Sequence, residues 1–482
     1  MVMMKKTIQA GVLSLVGGIL MNIQTTEVQA EITTTTKERS ALAVTIYNDN
    51  LALIKDTRQI NLDAGQNQVA FRDVSAQIRP ETASIKTKNH PNVHLLEQNF
   101  DFDLLTPDKL LEKHVGKTIT VIRTNPATGQ ESRENATVLS TNNGIVLKYA
   151  NRIEIGNPGR YSFNHIPANL RDRPTLVLNL ATPNAITKTP LELSYLTGGL
   201  GWKADYVANL STDQKTMTLN GWITLTNTSG TSYENALLQL VAGSVNRVQP
   251  KHRAMAYPAV AMAAPAPTMA APNVAEESLF DYHLYTLDRL TSIAENQTKQ
   301  VALLSAQNIP MKHLYILNGN DYYYYSQYGE ISKKLKPNVF LEFENKNGDL
   351  GKPLPAGIMR VYTADKAGRT QFIGEDSVEH TPKNEKIRLK MGEAFDISVD
   401  KVQTTYRQIK EKQAESSYRF TLRNAKDTPV TVRVVEPLGT NWEILNESQK
   451  NIRENSQAVR WDVTIPAEGE KILEYKVRNR IH

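Results

Sequence analysis

The chain has 482 residues, with 56 Lys and Arg against 50 Asp and Glu, and no Cys. At roughly 150 residues per domain, that length suits about three folded units. A net charge of +6 spread over the chain lacks the concentrated basic face of a nucleic-acid binder, and the missing Cys excludes thiol catalysis, disulfides, iron–sulfur clusters and Cys-ligated zinc.

Lys5 and Lys6 precede a mostly apolar run from Ile8 to Ile23, and Val28-Gln29-Ala30 supplies small residues at the positions signal peptidase reads. The run is shorter than a membrane-spanning helix requires, so residues 1–30 read as a signal peptide cleaved after Ala30. The expected location is therefore periplasmic or secreted, with no transmembrane segment left after cleavage. An exported chain without Cys has to draw its stability from packed sheets.

Alternation with period two then dominates. Residues 31–103 form an N-terminal β segment that opens on Ala41 to Asn48 and Leu51 to Ile60, a hairpin turned by Asn48-Asp49-Asn50. In residues 104–156, Thr106 caps a short helix with Pro107 at its first position, and four short strands follow. That layout predicts a small SH3-like or Sm-like barrel. Residues 157–381 form a central β domain, in which Trp202, Ala204, Tyr206, Ala208 and Leu210 share one face of a strand. Lys251 to Glu277 is rich in Ala, Pro and Met, and its prolines predict a mobile, irregular loop. Residues 382–482 alternate again, with Tyr418, Phe420 and Leu422 facing one way and Val459, Trp461 and Val463 doing likewise, as in an immunoglobulin-like sandwich. The fold class is thus mainly β: several sandwich or immunoglobulin-like units, a small barrel and few short helices. Trp222 to Asn227 and Phe420 to Asn424 are alike, each followed by a polar turn and another strand. Two related sandwiches or ordinary hairpin chemistry would both produce that echo.

No metal-binding spacing joins the nine His: Pro91 separates His90 from His94, and Asp101-Phe-Asp103 is only a fragment of a calcium loop. No nucleophile elbow occurs, and Gly198-Gly199-Leu200-Gly201 lacks the helix and Lys–Ser/Thr pair of a phosphate loop. Catalytic residues are thus unassigned, and neither a metal nor a cofactor is indicated. The most unusual feature is Tyr322-Tyr-Tyr-Tyr325, with Tyr328 nearby. In a strand, half of those rings would pack inward. Tyr322, Tyr324 and Tyr328 are candidate contacts for a stacked sugar. Arg247 is a fourth candidate, paired either with Asp205 or with a ligand carboxylate.

Val44 to Asn48, Asn50 to Leu53, Ile78 to Thr82, Gly199 to Val207, Leu225 to Gly230, Leu238 to Gly243, Tyr282 to Tyr285 and Glu295 to Gln300 together resemble one exported bacterial family. It is the family carrying domain of unknown function 4139, a domain shared with mucoidy-inhibitor A proteins. The resemblance implies a β-rich Gram-negative envelope protein without an assigned activity, and it supplies no catalytic residues. The mucoidy-inhibitor arrangement places a coiled coil before this domain, and no sustained heptad occurs here. The leading expectation is a non-enzymatic binding or structural protein whose partner is another envelope protein or a glycan. The alternatives are a hydrolase of peptide or glycan at the sandwich–barrel junction, and a glycan-binding protein acting through the tyrosines.

Overall fold

The computed structural model describes residues 30–48, 50–156, 158–167, 170–243, 245–246, 274–346 and 349–480. The expected leader up to residue 29, the cleavage reading that depends on it, Arg247, and residues 251–273 of the expected loop lie outside these residues. Val274 to Glu277, the end of that expected loop, are instead part of the strand Val274–Leu279. This strand pairs antiparallel along the whole of Tyr282–Leu287, so Val274 to Glu277 are used in a hairpin.

Strands dominate as the alternation requires; the single α-helix among the described residues is Pro107–Glu112. Among the described residues the strands form five sheets and enclose three apolar cores. The largest core joins the N-terminal strands to the central ones: Val44, Ile54, Phe71 and Leu178 belong to the same cluster as Trp202, Tyr206, Leu225 and Met359. Strand Leu200–Leu210 buries the face predicted for it and pairs antiparallel with Thr216–Asn227 from end to end. Gly199 makes the turn before it, with φ +78° and an added Cβ only 2.5 Å from the Ser229 backbone, so no other residue fits without displacement.

One strand crosses between cores. Gln297–Asn318 is 22 residues long. Its first part pairs with Thr216–Asn227, and its last part with Asn338–Glu344 and, in parallel, with Val430–Pro437. Ala306 and Met311 therefore sit in the large core, whereas Tyr315 and Leu317 sit in the second. That second core lies between this sheet and a five-stranded sheet built on Ile397–Lys410, Gln413–Asn424 and Gly469–Arg480. Trp461 and Tyr475 stack at its centre, with ring centroids 4.5 Å apart.

The third core belongs to the insertion. Thr106 caps the helix as expected, its Oγ1 accepting from the Lys109 N–H. The strands that follow bury Ile119, Val121, Ala136, Val138 and Leu147 on one face. This unit, expected to be a small SH3-like or Sm-like barrel, is a five-stranded sheet that does not close on itself; its last strand, Arg160–Ser162, returns to pair beside its first, Thr118–Thr124. Arg160–Ser162 pairs only with Thr118–Thr124 at one edge, and Ile153–Ile155 only with Val146–Lys148 at the other. Full closure needs the two edges to bond to each other, and these three-residue edge strands are not paired with one another.

The two similar segments share a device. Asn227 Nδ2 donates to the carbonyls of Thr231 and Ala294, at 2.9 and 3.0 Å, while its Oδ1 accepts from the Ser229 N–H. Asn424 Nδ2 donates to the carbonyls of Thr428 and Pro466, also at 2.9 and 3.0 Å, while its Oδ1 accepts from the Lys426 N–H. Each Asn ends a 12-residue strand, is buried, and makes its two local bonds at the same offsets, two and four residues on. The echo thus extends from sequence to hydrogen bonding, and it reflects a shared strand–corner–strand unit.

Candidate functional site

The tyrosine run is not a strand. Asp321–Tyr324 is a short 3-10 turn, so successive rings fan out around it instead of alternating across a sheet. Tyr324 points into the second core and is fully buried; it offers no surface to a ligand. Tyr322 and Tyr328 are 46% and 44% exposed, and Tyr323 and Tyr325 are half-buried. Tyr322, Tyr323 and Tyr328 form one cluster, with ring centroids 4.3 to 6.2 Å apart. The structure therefore brings together two of the three tyrosines singled out from sequence and adds Tyr323.

Side chains from the sheet beneath hold this turn. Gln403, which is buried, accepts from the Tyr328 N–H at 2.7 Å and donates to the carbonyls of Ser326 and Tyr323. The Tyr418 hydroxyl donates to the Tyr323 carbonyl at 2.7 Å, and the Tyr406 hydroxyl to that of Tyr325 at 3.0 Å. Burial pushes the Tyr324 phenol well above its usual range, and the neighbouring Glu436 carboxylate acts the same way. Its hydroxyl donates to Glu436 and is bonded to the Tyr475 hydroxyl at 2.7 Å. Glu436 in turn accepts from Lys401 Nζ on both oxygens.

The supporting residues lie far from the tyrosines in sequence, but they carry a signal. In Ile397–Lys410, Ile397, Val399, Lys401 and Gln403 are the buried phase. In Val430–Pro437, Val432, Val434 and Glu436 are. Polar residues in the inward phase of an otherwise apolar strand mark a buried polar network.

Other places are less organised. A groove of about 600 Å³ lies where Ala306 to Lys312 pass Glu342 to Glu344 and Lys386. Two of its carboxylates already have partners, Glu342 with Arg388 and Glu344 with Lys386. At the tip of the Val274–Leu279 hairpin, Phe280 is 87% exposed. Asp205, one of the two alternatives for pairing with Arg247, is held by Arg360 at 3.0 Å and by the Thr224 hydroxyl at 2.7 Å. No group of three or more potential ligands suited to a metal ion occurs among the described residues. No described helix is long and apolar enough to cross a membrane.

The tyrosine turn, its supporting strands and both Asn corners fall within residues 191–481, the stretch matched by the family model for the domain of unknown function DUF4139. The chain belongs to this family. No curated protein matches it. In this DUF4139 protein the matched stretch begins at Leu191, inside the strand Ile186–Thr197 that helps build the large core. The family segment thus shares its largest core with strands that precede it, such as Leu51–Leu62.

Proposed function

We propose that this DUF4139 protein is an exported, non-enzymatic binding protein of the bacterial cell envelope, and that the turn around Tyr322 and Tyr328 contacts its ligand, a glycan. One observation carries the reading. The turn presents exposed aromatic rings, while Gln403, Tyr418 and Tyr406 fix its backbone by five hydrogen bonds from below. A surface ordered in advance loses little freedom on binding. Tyr rings combine an apolar face with a hydroxyl, which suits the alternating apolar and polar faces of a sugar. The sequence features of a cleavable leader support export.

The test is retention of the purified protein on immobilised envelope polysaccharide. Replacing both Tyr322 and Tyr328 by Ala removes two ring contacts of about 0.5–1.5 kcal/mol each. Retention should fall about tenfold or more while Tm stays near the wild-type value, because both rings are exposed and neither belongs to the second core. Unchanged retention in the double variant would overturn the reading.

A further inference from the structure

Lys401 and Glu436 stand in opposite sheets of the C-terminal sandwich, and their side chains are 2% and 1% exposed. Lys401 Nζ lies 2.9 and 2.7 Å from the two carboxylate oxygens of Glu436, which places the nitrogen in contact with the carboxyl carbon as well. Aromatic rings surround the nitrogen: Tyr323, Phe420 and Tyr418 have centroids 4.4, 5.0 and 5.4 Å away. Gly319 packs closely against the same carboxyl group, and an added Cβ there would stand 2.5 Å from the carboxyl carbon. The Tyr324 hydroxyl donates to the same carboxyl group, backed by the Tyr475 hydroxyl.

We propose that Lys401 and Glu436 condense into an amide that joins the two sheets covalently. The chemistry follows from the surroundings. A buried ion pair pays for desolvation on both partners, and that cost disappears if the charges do. Transfer of one proton from the ammonium to the carboxylate leaves a neutral amine beside a carboxylic acid. A desolvated Lys amine is a nucleophile, and this one is already at attack distance. The nitrogen lone pair bonds to Cδ, the C–OH bond breaks, and the hydroxyl leaves as water with a proton from nitrogen. The product is one amide and one water, and no other reactant is needed. The Tyr324 hydroxyl stabilises the negative charge that develops on the carboxyl oxygen. In a chain without Cys, this bond would do between sheets what a disulfide does elsewhere.

Peptide mapping of the full-length protein, denatured and digested with trypsin, tests the proposal. The expected result is a branched species joining the peptide that contains Lys401 to the one that contains Glu436, one water lighter than their sum, with no cleavage after Lys401. The Lys401→Met variant should yield the Glu436 peptide unmodified. Cleavage after Lys401 in the wild-type protein, with both peptides recovered separately at full mass, overturns the proposal. That reading needs no variant, so a misfolded variant does not blunt it.

Discussion

At the residue scale, the polar groups that this protein buries have defined tasks. Asn227 and Asn424 are buried, and each serves two carbonyls and one N–H where a strand turns. Aspartate has the same shape but cannot donate to two carbonyls. Asn424→Asp should therefore cost roughly 2–3 kcal/mol and lower Tm, as read by calorimetry; a Tm equal to wild type would refute the corner's role. Glu415 is different, being surrounded by cations. Its carboxylate is 5% exposed and lies 2.8 Å from Lys476, 2.8 Å from Arg478 and 3.1 Å from Arg407. Hydrogen bonds from Lys476 and Arg478 outweigh burial and hold its pKa down to about 2, against 4.5 for an ordinary glutamate. A depressed carboxylate stabilises the fold above its unfolded pKa and loses that effect as pH falls through the folded value. The stability gap between wild type and Glu415→Gln should be full above pH 4.5 and shrink as pH falls toward about 2. Denaturant unfolding across that range measures it, and a gap independent of pH would contradict the assignment.

At the element scale, the 22-residue strand Gln297–Asn318 links the two larger cores, so they should not unfold independently. Trp461 is fully buried at the centre of the second core. Trp461→Ala should cost about 3–5 kcal/mol. It should lower a single calorimetric transition for both cores. Two transitions, with the central core unmoved, would show that the strand does not couple them. The sequence displays local periodicity better than long-range pairing. The inward face of Trp202 to Leu210 is readable because its period is uninterrupted. The long strand instead reads as two shorter ones, Lys299 to Leu304 and Lys312 to Leu317, because Pro310 and a bulge near Ala306 break the alternation between them. The tyrosine run resembles a strand by composition, yet Asn320 and Asp321 start a tight turn there. Its support was not readable as a unit, since Gln403 and Tyr418 reach it from about eighty to a hundred residues away. The polar residues Lys401, Gln403 and Glu436 in inward phases were the available clue.

At the scale of the whole molecule, the described residues form three cores of unequal size, and the second carries the tyrosine turn. The insertion leaves and rejoins the body at neighbouring points, since Asp101 and Thr175 face each other in adjacent strands. Its own core is small, and the tyrosine turn belongs to a different one. Ligand contact is therefore expected to stay on the C-terminal sandwich. Hydrogen exchange of the intact protein, with and without a saturating envelope polysaccharide, tests this most directly. The account predicts slowed exchange confined to residues 320–328 and the strand Ile397–Lys410 beneath them. Protection elsewhere with none at this turn, or no protection at any concentration of polysaccharide, would contradict it.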